Sequence, residues 1–145
     1  MNVAAMFQNR LLINSLFSWL AAQLIKTVIY AIVNQSLDLH RLVGDGGMPS
    51  GHSATVTAMA ATAGFTYGFD SAAFAISVIV ASVVMHDAMG VRLEAGKHAK
   101  AINELMATLG SDIQPEEKLK EFLGHTPLQV IFGALLGLFI AFIMR

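Results

Sequence analysis

Cysteine is absent from this chain of 145 residues, and charged residues make up only 13% of it. Without thiols, the chain has neither a disulfide framework nor a zinc site built on thiolates. The net charge is −1 with histidine neutral, and no basic patch of the size that nucleic-acid binding requires stands out, which argues against a nucleic acid as a partner. Hydrophobic residues, by contrast, make up 55% of the chain. This is too apolar for an ordinary soluble domain and predicts a membrane protein.

Four apolar segments have or approach the length of roughly 20 residues with which a helix crosses a bilayer. We predict membrane spans at about residues 11–33, 53–69, 72–91 and 127–144. The short linker with Gly68 and Asp70 makes a tight hairpin of the second and third spans. The first span follows Arg10 as a signal peptide would, but it is too long and too polar for cleavage, so we expect it in the mature protein. The predicted architecture is all-α: a single domain over residues 1–145, forming a polytopic bundle of about four transmembrane helices in the lipid bilayer.

The connection between the third and fourth spans carries many of the charged residues of the chain. Within it, apolar residues recur at helical spacing, which predicts an amphipathic helix at the membrane interface. The stripe consists of Leu93, Ile102, Leu105, Met106 and Leu109. We expect this helix to end at Gly110.

The order of crossings places the end of span one, the start of span two, the end of span three and the start of span four on one side of the membrane. Ionisable residues inside spans are costly and normally face a cavity, a partner or a site. The residues of this kind on that side are Lys26, His52, His86, Asp87, Arg92 and His125. Because all of them can converge at one membrane depth, we expect a functional site there.

The segment from Gly46 to Ser53 joins a flexible loop to the start of a predicted helix. Glycine lets backbone amides approach an oxyanion closely, and the unpaired amides at a helix N-terminus attract negative charge. Ser50 could add a hydroxyl donor, so the pattern is typical of a phosphate site. The structural alternative is an ordinary helix start, capped by Ser50 or Ser53, with His52 solvated at the interface.

A second loop-to-helix junction runs from Gly124 to Pro127, and it again places a histidine, His125, at a helix start. A single interfacial histidine commonly has no role. Two on one side suggest a pair, in which one imidazole attacks phosphorus and the other protonates the departing oxygen. Nearby cations would hold the phosphoryl oxygens and stabilise the charge that develops on them. The candidate cations are Lys26, Arg41 and Arg92.

Three strings in this order, GGMPSGHSA, HDAMGVRLEAGKHA and LGHTPLQVIFGALLG, resemble the divergent branch of the type-two phosphatidic acid phosphatase superfamily. That superfamily is helical and distantly related to vanadium haloperoxidases, and the resemblance covers about residues 23–138. It implies hydrolysis of a lipid phosphate or diphosphate through a phosphohistidine at His125, with His52 protonating the leaving group and with no metal or other cofactor required. The phosphate-binding positions it implies are Lys26, Ser50 and Gly51, with Arg41 and Arg92 as looser matches, since the arginine-proline and serine-arginine pairs of the superfamily are missing.

One position departs from the superfamily pattern, which places a carboxylate four residues after the nucleophilic histidine. This chain has Gln129 there. Glutamine can accept a hydrogen bond and select the tautomer of the ring, but it does not stabilise an imidazolium as an anion would. Asp87 is the candidate for the missing charge, and its alternative is a buried ion pair with Lys26 or Arg92. The histidines interpreted as solvated, packing or interfacial residues are His40, His86 and His98.

Two alternatives to a phosphatase stay open. A non-catalytic member could keep the phosphate pocket for lipid binding, transport or membrane assembly, which Gln129 and the missing arginine motifs favour. A metal site has suitable ligand types but no recognised ligand spacing. Its ligands would be His52, His86, Asp87 and His125. The substrate could also be a small soluble phosphate ester, and a homo-oligomer could complete the pocket.

Lysine and arginine near the spans predict the orientation of the chain. The side of the motifs carries Arg41, Arg92, Lys97, Lys100, Lys118 and Lys120, against Arg10 and Arg145 on the other side. Cytoplasmic loops carry the excess of positive residues, so the motif face is predicted to be cytoplasmic.

Overall fold

The computed structural model describes residues 3–38, 42, 47–108, 119, 121 and 124–145. Its helices are α1 (Arg10–Asn34), α2 (Gly51–Tyr67), α3 (Ala72–Met89), α4 (Val91–Thr108) and α5 (Pro127–Ile143), with a 3-10 turn at Val3–Gln8 before α1. The regular elements of the described residues are all helical, which confirms the predicted fold class.

Short polar side chains set where the helices begin. The caps of α1, α2, α3 and α5 are Asn9, Ser50, Ser71 and Thr126, and each side chain accepts a hydrogen bond from the backbone amide three residues further on. Such a cap satisfies one of the amides that a helix start leaves unpaired. Of the two serines that could cap α2, Ser50 does so, and the helix begins at Gly51.

α2 lies at the centre of the bundle and packs against α1, α3 and α5. Small residues allow the closest of these contacts. A methyl group at Gly133 of α5 would overlap the backbone carbonyl oxygen of Ser50, the cap of α2, and one at Gly137 would overlap that of Ala54 in α2. The buried alanines of α2 are Ala54, Ala58, Ala60, Ala61 and Ala63. Close approach of backbones over small residues is the usual way in which membrane helices associate.

The neighbours of α2 run in different directions along it. α1 is antiparallel to α2, since Asn14 near the start of α1 donates to Thr62 Oγ1 near the end of α2 over 3.0 Å. α5 is parallel to α2. The Ser50 amide donates to the Gln129 carbonyl at their common start over 3.0 Å, and the Arg145 guanidinium lies 6.0 Å from the Phe65 ring centroid at their common end.

The outer faces of α1, α3 and α5 are covered with large apolar side chains. Exposed examples are Leu16, Phe17, Ile32, Ile76, Ile79, Leu135 and Phe139. Within the described ranges, two helical stretches, Arg10–Asn34 and Ala72–Thr108, are long and apolar enough to cross a membrane, and α5 is a shorter apolar helix. α2 is instead rich in alanine and threonine because protein, rather than lipid, covers it on three sides. The molecule is a helical membrane bundle.

α4 follows α3 directly after Gly90 and differs from the other helices in carrying many charged residues. Two of its ion pairs join neighbouring turns, Lys97 to Glu94 over 2.6 Å and Lys100 to Glu104 over 3.8 Å. Ile102, Leu105 and Met106 of the predicted apolar stripe are exposed on it. Leu109 and Gly110 lie outside the described residues. An apolar stripe beside ion-paired charges is the pattern of the predicted amphipathic helix.

Candidate active site

Two histidines from separate helix starts face each other at one end of the bundle. His52 is the second residue of α2, and His125 directly precedes Thr126, the cap of α5. Their ring centroids are 5.8 Å apart, with the ring planes inclined by 60°. His125 is 3% exposed, whereas His52 is half-buried. The structure therefore brings together the two imidazoles that the sequence singles out.

The backbone around His125 is held between α3 and α4. The His125 amide donates to the Ala88 carbonyl of α3 over 2.9 Å. Gly124 has a φ of +85°, and a side chain there would overlap the Leu93 amide nitrogen at the start of α4. Because only glycine fits both this conformation and this contact, the Gly-His pair positions the imidazole through the backbone.

The cap of α5 also orients the His125 ring. Gln129 Oε1 accepts from the Thr126 amide over 3.0 Å, and Thr126 Oγ1 accepts from the Gln129 amide over 3.4 Å, which is a reciprocal capping box. The same Oε1 lies 3.3 Å from His125 Nδ1. Because the Thr126 backbone N–H can only donate, the Gln129 side-chain atom that faces it must be the oxygen. Nδ1 of His125 must then carry a proton in order to hydrogen-bond to the same oxygen. The lone pair of neutral His125 is then at Nε2.

The start of α2 has the features of an anion site. Ser50 is fully buried, and its Oγ accepts from the Ser53 amide at 3.3 Å and from Ser53 Oγ at 3.0 Å, which leaves its own hydroxyl hydrogen to donate. A methyl group at Gly51 would meet only ordinary contacts, 3.5 Å from Trp19 Cδ1 and 3.9 Å from Gln23 Oε1. The Ser50 hydroxyl and the side-chain-free Gly51 thus lie together at a helix N-terminus, where unpaired backbone amides favour an anion.

Lys26 lies on α1 beside the loop that leads to this helix start. It is 5% exposed, and Gly47, with a φ of +83°, packs on its aliphatic stem, where a methyl group would come 3.0 Å from Lys26 Cγ. Lys26 also borders a cavity of about 170 Å³. The other lining residues are Ile29, Tyr30, Val33, Asn34, Gly47 and Met48. A cation at an apolar-walled cavity suits an amphiphilic anion.

Asp87 and Arg92 pair with each other. Arg92 Nε donates to Asp87 Oδ2 over 3.0 Å, and the two side chains are 47% and 43% exposed. The ion pair that the sequence suggests is therefore with Arg92, but it is half-exposed rather than buried, and pairs of this kind contribute little to stability. The charge of Asp87 faces Arg92, while His125 Nδ1 faces the neutral amide of Gln129.

The remaining sequence candidates are exposed or lie outside the described residues. Arg41 and His40 belong to the second group. His98 is exposed, as expected for a solvated side chain, and His86 is exposed as well, which fits an interfacial residue but not a packing one. In the ranges that the structure describes, no three or more histidine and acidic side chains come together as metal ligands would. The four residues of the metal alternative all lie in these ranges and do not form such a group.

Gln23 is a residue near the site that the sequence analysis does not single out. It is 5% exposed, and its Oε1 lies next to Gly51. The signal in the sequence is weak: an uncharged polar residue inside a predicted span, one helical turn before Lys26.

Comparisons with known proteins agree with this arrangement at the level of the family. No solved structure matches the chain. The chain is 39% identical to a protein of Bacillus subtilis (strain 168) named "Uncharacterized membrane protein YuiD", over 92% of each chain. The sequence profile described as "Divergent PAP2 family" matches residues 7–140. Both matches extend over nearly the whole bundle, and we conclude that this membrane protein belongs to the Divergent PAP2 family.

Proposed function

We propose that the protein is a membrane phosphatase that hydrolyses a lipid phosphate or diphosphate through a phosphohistidine intermediate. The observation that carries the proposal is the pair of imidazoles, His52 and His125, 5.8 Å apart at two helix N-termini. A phosphoryl group between the two rings would have a nucleophile on one side and a proton donor on the other, as displacement at phosphorus requires.

The first half of the proposed reaction transfers the phosphoryl group to the protein. Nε2 of His125 forms a bond to phosphorus with its lone pair, while the bond from phosphorus to the leaving oxygen breaks. Protonated His52 gives its proton to that oxygen, and the lipid alcohol or shorter phosphate departs. Lys26, the Ser50 hydroxyl and the amides at the start of α2 stabilise the charge on the three remaining oxygens.

The second half releases inorganic phosphate. His52, now neutral, takes a proton from a water molecule, whose oxygen attacks phosphorus as the bond to Nε2 breaks. His125 returns to its neutral state with the lone pair at Nε2, and His52 is protonated again. The side-chain oxygen Oε1 of Gln129 accepts from Nδ1 throughout, which keeps the ring in one tautomer.

Phosphate release from a panel of phosphatidate, sphingoid phosphate, prenyl diphosphate and a soluble phosphate ester tests this function directly. Purified wild-type protein in detergent is expected to hydrolyse at least one lipid of the panel. The apolar walls beside Lys26 support a lipid over the soluble ester. Release from none of the panel would contradict the proposal.

A second candidate function is lipid-phosphate binding without hydrolysis, in transport or membrane assembly. The observation that favours it is the neutral partner of His125: Gln129 supplies an acceptor for Nδ1 but no negative charge. An imidazole without an anion behind it forms a less stable imidazolium, and a phosphohistidine is correspondingly harder to form.

The variant Gln129→Glu distinguishes the phosphatase from lipid-phosphate binding without hydrolysis. Glutamate preserves the capping box with Thr126 and adds a charge-assisted hydrogen bond to Nδ1, so we expect kcat to rise by about tenfold to a hundredfold. Gln129→Met, which removes the acceptor, is the matched control and should lower kcat. If neither the wild type nor Gln129→Glu releases phosphate while both still bind a lipid phosphate, the binding function replaces the phosphatase.

We further propose that α1, α2, α3 and α5 all cross the membrane as one domain, with the imidazole pair on the cytoplasmic side. The excess of lysine and arginine at that end supports this orientation. A reporter fused after Arg145 should then be extracytoplasmic. A reporter fused after Gln35, at the other end of the bundle, should be cytoplasmic and serves as the control. The reverse pattern would overturn the orientation, and both reporters on one side would overturn the number of crossings.

The proposed hydrolysis needs no particular oligomeric state. A second copy of the chain could complete the cavity beside Lys26, and hydrolysis does not depend on it, since both imidazoles come from one chain.

A further inference from the structure

We propose that Gln23 is a further phosphoryl-binding residue of this site, in addition to Lys26 and the start of α2. The inference rests on the proposed function, because it adds one side chain to the contacts of the same substrate. Its two supports are independent of each other: the location of Gln23 beside Gly51, and the lack of a partner for its side-chain oxygen.

The location follows from the helical repeat of α1. Residues three apart lie on one face of a helix, and Gln23 and Lys26 both face the segment that leads into α2. Gln23 Oε1 is 3.9 Å from the point where a side chain of Gly51 would begin, and the stem of Lys26 packs against Gly47. Successive turns of α1 therefore follow the glycine-containing segment from Gly47 to Gly51, and Gln23 is next to the helix start itself.

The second support is the unpaired oxygen. Gln23 Oε1 is buried and has no hydrogen-bond partner among the residues that the structure describes. Buried side-chain oxygens are nearly always paired, because an unpaired one is destabilising. Asn14, a buried polar residue near the other end of α1 and 2% exposed, follows the rule with its bond to Thr62. Gln23 breaks this rule beside a helix N-terminus. A ligand that hydrogen-bonds to its side chain would supply the missing partner.

An amide can meet a phosphoryl group in two ways. A half-turn about its last bond exchanges the carbonyl oxygen and the NH₂ group with little change in shape, and the NH₂ group then donates to a phosphoryl oxygen. In the orientation seen here, Oε1 accepts from a protonated phosphoryl oxygen. Both arrangements add a hydrogen bond without adding a second charge next to Lys26.

The test compares three variants in phosphate affinity and in stability. Gln23→Leu removes the amide, Gln23→Glu keeps its shape but adds a negative charge, and Thr27→Val is the control. Thr27 is also buried on α1, and its hydroxyl donates only to the Gln23 backbone carbonyl, over 2.9 Å. The dissociation constant of inorganic phosphate is measured by ³¹P NMR titration of the full chain in detergent, and the midpoint of thermal unfolding by circular dichroism.

We expect Gln23→Leu to raise the dissociation constant of phosphate by about tenfold to a hundredfold, and Gln23→Glu to raise it further. The unfolding midpoint of Gln23→Leu should be unchanged or higher, since the unpaired oxygen is gone. Thr27→Val should bind phosphate as the wild type does. A residue with only a structural role gives the opposite result: a lower midpoint with unchanged phosphate affinity.

Failure of this inference can be told apart from failure of the proposed function. If the wild type hydrolyses lipid phosphates and Gln23→Leu changes neither the phosphate affinity nor KM, the role of Gln23 is refuted and the phosphatase stands. If the wild type neither binds phosphate nor hydrolyses any lipid phosphate, the proposed function falls and the role of Gln23 falls with it.

Discussion

Replacing His125 with alanine is expected to lower phosphate release by at least about a thousandfold, to the limit of detection. In the proposed reaction, Nε2 of His125 is the atom that bonds to phosphorus. Gln129 orients its buried ring, and the His125 backbone amide is anchored on the Ala88 carbonyl. His52→Ala should lower release by about 10²–10⁴-fold, the usual contribution of a general acid. The initial rate of phosphate release from the best lipid of the panel measures both effects.

The two variants differ further in the intermediate that they form. Nitrophenyl phosphate has a leaving oxygen that departs without needing a proton. His52→Ala should therefore still accept the phosphoryl group of nitrophenyl phosphate and form the phosphohistidine, whereas His125→Ala should not. His86→Ala is the matched control, since His86 is an exposed histidine at the same end of the bundle, and it should keep full activity. Phosphohistidine formation in His125→Ala would assign the nucleophile to another residue.

The largest effect on folding is expected for Gly137→Ala. A methyl group there would overlap the Ala54 carbonyl oxygen and come within 2.9 Å of the Ala58 amide nitrogen. Backbone atoms of a central helix have no room to move aside, so α5 must shift away from α2, and we expect the free energy of unfolding to fall by about 1–3 kcal/mol. Thermal unfolding in detergent, followed by circular dichroism, measures the change.

Gly51→Ala is the control for this prediction. It makes the same change at the first residue of α2, but the added methyl group would lie 3.5 Å from Trp19 Cδ1, which is an ordinary contact. Alanine also favours the helical backbone over glycine, by roughly 0.5–1 kcal/mol in a helix interior and by less at a helix start, so the stability of Gly51→Ala should equal or exceed that of the wild type. Equal stability of the two variants would show that the α2–α5 contact does not require glycine.

Helix boundaries follow closely from local sequence, because the residues that begin or end a helix act within a few positions of it. Gly68 and Gly90 cap the ends of α2 and α3, since glycine readily leaves the helical conformation. Pro127 begins α5, where its missing amide costs nothing. α2 begins at Gly51 because the Ser50 side chain caps it, and this choice between Ser50 and Ser53 needed the structure.

Family membership was also accessible from sequence, because three short strings in a fixed order carry it and the matched profile covers nearly the whole chain. The histidines themselves could be selected in the same way. Both stand at helix starts that must lie on one side of a membrane if the intervening segments cross it, and this topological argument needs no knowledge of packing.

What the sequence determined by itself is thus the class of the molecule, its helices and the candidate residues, since these follow from apolarity, helical periodicity and capping, which act over a few residues. Only the tertiary structure decided the partners. Asp87 pairs with Arg92, the rings of His52 and His125 lie 5.8 Å apart, and Gln23 lies beside Gly51. These contacts depend on how each helix is rotated about its axis and how closely it approaches the next. Side-chain packing along the whole length of α2 sets both quantities, and no local sequence signal encodes them.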